Sequence, residues 1–189
     1  SGGACPVYYP KDMQVHNGYL YFNSYYSRKI ARYNLSTKKC ETVVSTGSYP
    51  HAFQIQNNIL YSIDRNNIKV RNLSTNTDIS CSYSSHLLNY GRYAYAMTVD
   101  QSGNNMYIKR SSTTYRFQIE ASKCPRTTMA SNFNDGVGWT SYGMVAHPTD
   151  DRIIYYSNYS SHRIEKVTLN SARTGVASRV TKGRCCTGG

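Results

Sequence analysis

The chain repeats itself four times. Segments starting at Met13, Phe53, Met97 and Met144 align, so successive copies begin 40, 44 and 47 residues apart. A recurrence of roughly 20–50 residues decides the architecture before any local propensity does. Each copy alternates apolar and polar residues, breaks at an Asn, Gly or Asp turn and resumes with a short aromatic run: Leu20-Tyr-Phe-Asn, Leu60-Tyr-Ser-Ile, Met106-Tyr-Ile-Lys and Ile154-Tyr-Tyr-Ser. That is the pattern of a strand, a hairpin and a second strand.

A third strand follows in every copy, at Ile30-Ala-Arg-Tyr-Asn-Leu-Ser-Thr, Ile68-Lys-Val-Arg-Asn-Leu-Ser-Thr, Tyr115-Arg-Phe-Gln-Ile-Glu-Ala-Ser and Ile164-Glu-Lys-Val-Thr-Leu-Asn-Ser. A weaker fourth is expected at 40–45, 79–83, 127–130 and 175–180. No stretch carries a convincing 3.6-residue period, so helix is expected to be scarce. Four copies of a four-stranded antiparallel unit predict an all-β chain, a four-bladed β-propeller, in which radial repetition leaves only short, protected sheet edges.

The whole chain, 1–189, reads as one propeller domain with repeats at about 8–48, 49–92, 93–139 and 140–182, and a Cys-containing tail at 183–189. The repeated aromatic strand followed by Ile-x-x-x-Asn-Leu-Ser-Thr resembles the extracellular low-density-lipoprotein-receptor class B (YWTD) propeller repeats. The Tyr-Trp-Thr-Asp motif itself is replaced by the four aromatic runs above, and that family has six blades where four fit here. The ring is expected to close within one chain, with residues 7–10 pairing with the last blade. An open blade set completed by a second chain, and a β-sandwich, are the alternatives.

In a propeller the innermost strand of each blade lines the axis, and the residues just before it lie at one mouth. Two positions before the four anchors stand Lys11, His51, Tyr95 and Tyr142; four before stand Tyr9, Tyr49, Tyr93 and Thr140. Tyr, Lys and His dominate this ring, offering stacking faces and hydrogen-bonding tips at low entropic cost. The ligand-binding expectation therefore falls on Tyr9, Lys11, Tyr49, His51, Tyr93, Tyr95 and Tyr142. The competing reading is that tyrosines simply fill a narrow channel.

No catalytic or metal motif is present: His16, His51, His147, Asp12 and Asp100 have no motif spacing, and no nucleophile elbow, His-Glu-x-x-His helix or phosphate loop occurs. With only 10 acidic residues, a calcium-dependent propeller lactonase lacks its carboxylates. The expectation is no enzyme, no cofactor and no metal.

Lys and Arg number 22 against those 10 acids, a net +12, and they follow the repeat: Arg28, Lys29 and Arg32; Arg65, Lys69 and Arg71; Lys109, Arg110 and Arg116; Arg163 and Lys166. Such residues predict a basic belt that attracts polyanions, which outside a cell means acidic glycans or matrix rather than nucleic acid. No apolar run approaches the roughly 20 residues of a membrane helix, and a chain starting at Ser1 without Met reads as a processed product.

Six cysteines without C-x-x-C spacing suggest disulfides in an oxidising compartment. Three sequons, at Asn34, Asn72 and Asn158, agree with secretion and candidate glycosylation. Cys40, Cys81 and Cys124 fall 27, 28 and 27 residues after their anchors. Read as equivalent places on different blades, they are not expected to pair with one another. Cys5 is then expected to join Cys185 or Cys186 across the closed ring, leaving thiols for intermolecular bonds.

These features predict a secreted, non-catalytic, Tyr-rich module that binds a glycan or an extracellular protein at its mouth, with self-association as a further expectation. The alternatives are a structural subunit of a matrix, adhesive or filament, and a propeller hydrolase or lactonase.

Overall fold

A computed structural model describes residues 5, 7–64, 68–81, 94, 96–138 and 142–184. Among the described residues sixteen strands form four antiparallel four-stranded meanders, and there is no helix. The first blade is β1 (Met13–His16), β2 (Tyr19–Ser24), β3 (Lys29–Asn34) and β4 (Cys40–Ser45). The second is β5 (Pro50–Gln56), β6 (Ile59–Asp64), β7 (Ile68–Asn72) and β8 (Thr77–Ile79). The third is β9 (Ala96–Val99), β10 (Asn105–Arg110), β11 (Thr113–Gln118) and β12 (Ser131–Asn134). The fourth is β13 (Gly143–Ala146), β14 (Ile153–Asn158), β15 (Arg163–Leu169) and β16 (Val176–Arg184). The chain is a four-bladed β-propeller.

Turn chemistry explains the repeat. Asn17 and Gly18 both have positive φ, as do Asn57 and Asn58, the geometry a tight two-residue hairpin needs to match strand twist. The Asn-Leu-Ser-Thr endings are side-chain turns: Asn34 Oδ1 accepts the N–H groups of Ser36 and Thr37, and Asn72 Oδ1 those of Ser74 and Thr75. An Asn oxygen thereby replaces the backbone partner that the reversing chain loses.

The outer strands depart from expectation. The first is found where it was expected, but β8 lies earlier than 79–83, β12 later than 127–130, and β16 runs on to Arg184. Outer strands carry the least burial, so their hydrophobic pattern is the weakest.

Blades meet through apolar seams. Tyr21, Ile30, Val43 and Val44 pack on Phe53, Ile55 and Leu60 between blades one and two. Tyr61, Ile63 and Ile68 meet Met97, Val99 and Met106 between blades two and three. Tyr107 and Phe133 meet Met144, Ile154 and Tyr156 between blades three and four. This last seam also holds a buried polar lock. Lys109 Nζ donates to Asp135 at 2.6 Å, Thr114 Oγ1 donates to the same carboxylate at 2.8 Å, and the Tyr156 hydroxyl lies 3.0 Å from Thr114. Desolvation lowers the Lys109 pKa while its carboxylate partner opposes the shift. Lys109 is thus a core residue and does not belong to the basic belt expected from sequence.

The ring does not close in the way the sequence suggested. Residues 7–10 do not join the last blade. Tyr8 N–H donates to Ser24 Oγ and Tyr25 N–H to the Tyr9 carbonyl, folding this segment back onto the first blade, while the fourth blade takes all its strands from residues 143–184. Among the described residues no apolar cluster joins blades four and one.

Two disulfides also correct the sequence reading. Cys5 bonds Cys40, and Cys81 bonds Cys124. Equal offsets from the anchors did not mean equal places. Cys40 opens β4, Cys81 lies beyond the end of β8, and Cys124 lies in the turn between β11 and β12. Cys81 and Cys124 therefore face each other across two blades with Cα atoms 5.6 Å apart, within disulfide reach. Cys185 and Cys186 lie outside the described residues.

Candidate functional site

Antiparallel pairing places the start of each first strand beside the end of the second, as Met13 pairs with Phe22 and Gly143 with Ser157. The lead-ins to the first strands and the turns between second and third strands therefore share one end of the propeller. In the first blade this end is organised by Asn23, which is fully buried. Its Oδ1 accepts the N–H groups of Lys11 and Asp12 at 2.8 and 2.9 Å, and its amide nitrogen donates to the carbonyls of Pro50 and His51. One side chain thus fixes the lead-ins of two blades.

On this frame sits an aromatic cluster. Tyr25 stacks on Tyr49 with centroids 4.7 Å apart and planes 18° from parallel, and meets His51 edge-on at 5.5 Å. Tyr9 packs against Tyr26 at 5.7 Å. Lys11 Nζ lies 4.0 Å from the Tyr25 ring centroid, and the Arg28 guanidinium 5.0 Å from that of Tyr49. Tyr142 meets Tyr159 edge-on at 6.2 Å in the fourth blade. A cavity of about 510 Å³ opens here, lined by Tyr9, Pro10, Lys11, His51 and Tyr142, a size suited to a small polar ligand.

Two charges at this mouth are shifted. Burial lowers the Lys11 pKa. Burial raises that of Asp12 to about 6, opposed by backbone N–H bonds from Phe53 and Met13; the Phe53 N–H donates to Asp12 Oδ2 at 3.0 Å.

Of the residues expected from sequence, Tyr9, Lys11, His51 and Tyr142 line one cavity, and Tyr49 stands behind it, stacked on Tyr25. Tyr93 and Tyr95 lie outside the described residues. Sequence reasoning missed Tyr25, Tyr26 and Asn23. The adjacent tyrosines in the turn after β2 were the available signal, since Tyr159 occupies the turn after β14.

The histidines and acids considered for chemistry do not assemble. Asp12 and His51 are at the mouth. His16 is at the opposite end of β1, bonding Asn58 Oδ1 at 2.6 Å. Asp100 follows β9 and accepts from Asn105, and His147 follows β13, where it organises a turn with Thr149 and Asp150. Among the described residues no three His, Cys, Asp or Glu side chains come together as a metal site.

The basic belt is partly spent on local pairs: Arg32 on Glu41, Arg71 on Asp78, Lys69 on the Ser45 carbonyl and Arg116 on Ser131. Arg65 lies outside the described residues. The sequons differ too. Asn34 and Asn72 use their oxygens in outer turns, whereas Asn158 donates Nδ2–H to the Val137 carbonyl at 2.6 Å in a part-buried seam.

No protein-family model matches the chain, and no curated protein matches its sequence. Solved structures share its fold. A functionally unknown protein from Desulfotomaculum acetoxidans DSM 771 superposes with a TM-score of 0.68 at 16% identity, over 94% of this chain and 58% of the other. Hydrazine synthase of Kuenenia stuttgartiensis gives 0.67 at 11% identity, over 96% and 51%. A chain of a nidogen/laminin complex gives 0.63 at 8% identity, over 92% and 64%. This chain therefore spans about half to two thirds of the length of these similar chains.

Proposed function

We propose that this chain is a secreted, non-catalytic binding module whose tyrosine-lined mouth recognises a glycan or an extracellular protein. The observation that carries the reading is the cavity between Tyr9, Lys11, His51 and Tyr142, backed by the stacked Tyr25 and Tyr49. Flat aromatic faces bind the apolar faces of sugars and the side chains of peptides. Hydroxyl, imidazole and ammonium groups at the rim supply directional hydrogen bonds, and a cation held against rings favours acidic partners.

Secretion is supported by two disulfides, which persist in oxidising compartments, and by sequons at Asn34 and Asn72 in outer turns. The non-catalytic reading is supported by carboxylates already engaged: Asp12 by the Phe53 N–H, Asp135 by Lys109 and Thr114. A propeller of the same fold occurs in a nidogen/laminin complex, which favours a protein ligand as one form of the proposal.

The test is binding of the disulfide-intact chain to a panel of neutral and acidic oligosaccharides and to immobilised matrix proteins, repeated with Tyr142→Ala and Lys11→Ala, two of the residues that line the cavity. Loss of a central aromatic contact weakens binding by roughly 30-fold or more, while Lys166→Ala, on the outer part of the fourth blade, leaves it unchanged. Binding that survives both mouth substitutions would contradict the proposal.

A further inference from the structure

The propeller contains its own template for how one blade docks on another, and its two end blades carry the unmatched halves of that template. In each internal seam the following blade contributes apolar residues from its first two strands: Phe53, Ile55 and Leu60, then Met97, Val99 and Met106, then Met144 and Ile154. All are buried. The preceding blade contributes one tyrosine from its second strand, Tyr21, Tyr61 or Tyr107, each at most 2% exposed. In the first and third seams it also sends a first-strand side chain to the follower's backbone. Gln14 bonds the N–H and carbonyl of Ile55, and Thr98 Oγ1 accepts from Ala146 N–H. Strand register fixes these equivalences, since Gln14 pairs with Tyr21, Thr98 with Tyr107 and Val145 with Tyr155, while Val15 pairs with Leu20 and Ile55 with Leu60.

Applied to the ends, the same register names both faces. The first blade's docking face is Met13, Val15 and Leu20, with Met13 63% and Val15 64% exposed. The fourth blade's receiving face is Val145 and Tyr155; Val145 is 52% exposed, and Tyr155 is half-buried where its three counterparts are sealed. Among the described residues, every large apolar side chain that is strongly exposed lies on the first blade, its lead-in or the fourth blade. Contiguous exposed apolar surface marks a docking site. Val145 moreover stands where the other three receiving strands carry Gln14, Gln54 and Thr98, so this face has traded a polar group for an apolar one.

We propose that the occupant of each face is the other end of a second copy of this chain. The first blade of each copy docks on the fourth blade of its partner, and Val15 of one copy is set against Val145 of the other. A second copy is favoured because it carries both complementary halves, and a two-fold arrangement covers all four exposed faces at once, closing on itself.

The experiment is sedimentation equilibrium of the disulfide-intact chain across a concentration series. The expected mass is twice the 21.4 kDa of one chain. Val15→Lys and Val145→Asp, at positions exposed in one copy and therefore tolerated by the fold, each weaken the dimer by roughly 100-fold, because a lone charge is buried in the seam. An equimolar mixture of the two variants restores the dimer, since one of its seams is native and the other pairs Lys with Asp. The double variant Val15→Lys/Val145→Asp also dimerises. A wild-type monomer at every concentration, a Val145→Asp chain that dimerises as wild type does, a mixture that stays monomeric, or an open polymer in place of a dimer would each overturn the proposal.

Discussion

Asn23 and Asp12 show how single polar residues set the geometry of the mouth. Asn23 has no exposure, yet it carries four hydrogen bonds that tie together segments distant in sequence. Asp12 is costlier. The folded chain holds its proton up to about pH 6 against an ordinary value of 3.8, so between those limits the folded state binds more protons than the unfolded state. Stability associated with Asp12 is therefore full at acid pH and falls as pH rises through about 6, with a cost at neutral pH on the order of 2 kcal/mol. Asp12→Asn keeps an oxygen to accept the Phe53 N–H but carries no charge. It is expected to stabilise the protein by about 1–2 kcal/mol at pH 7 and to flatten the stability profile between pH 4 and 6, measured by denaturant titration at each pH. An unchanged profile would show that Asp12 is ionised in the fold at little cost. Lys109 teaches the complementary lesson: a charge that reads as surface in sequence is buried because Asp135 and Thr114 wait for it in the same seam.

At the scale of strands and turns, the inner three strands of each blade were legible because burial writes itself into the sequence. Tyr21, Tyr61 and Tyr107 recur at one register position, and the Asn-Leu-Ser-Thr endings are side-chain turns. Of the outer strands only β4 lay at its expected bounds, since outer strands bury one face weakly and their position depends on loop length. That is why β8 and β12 shifted, and why the cysteine offsets misled. The mouth was legible as four lead-in positions, whereas Tyr25 and Tyr26 sit in a turn that period counting does not reach. The Cys81–Cys124 bridge now joins blades two and three across 43 residues of sequence, and a loop of that size corresponds to about 4 kcal/mol of unfolded-state entropy. Replacing both cysteines by alanine should lower stability by about 2–4 kcal/mol and lower Tm accordingly, while the chain remains folded because the Tyr61, Met97 and Met106 packing persists. A loss of folding would mean that this seam depends on the covalent link rather than on its core.

For the whole molecule, three apolar seams join the four blades in order, and among the described residues no apolar cluster joins the fourth blade to the first, with the aromatic mouth at one end of the strands. Rigidity suits recognition, because side chains held by Asn23 and by ring stacking lose little entropy when a ligand arrives. Amide hydrogen exchange with and without a bound partner from the oligosaccharide and matrix-protein panel reads directly where that ligand sits. The expected result is new protection confined to residues 8–12, 25–28, 49–52 and 142–143, with the outer strands β4, β8, β12 and β16 unchanged. Protection falling on those outer strands while the mouth exchanges as before would show that the ligand does not bind at the mouth.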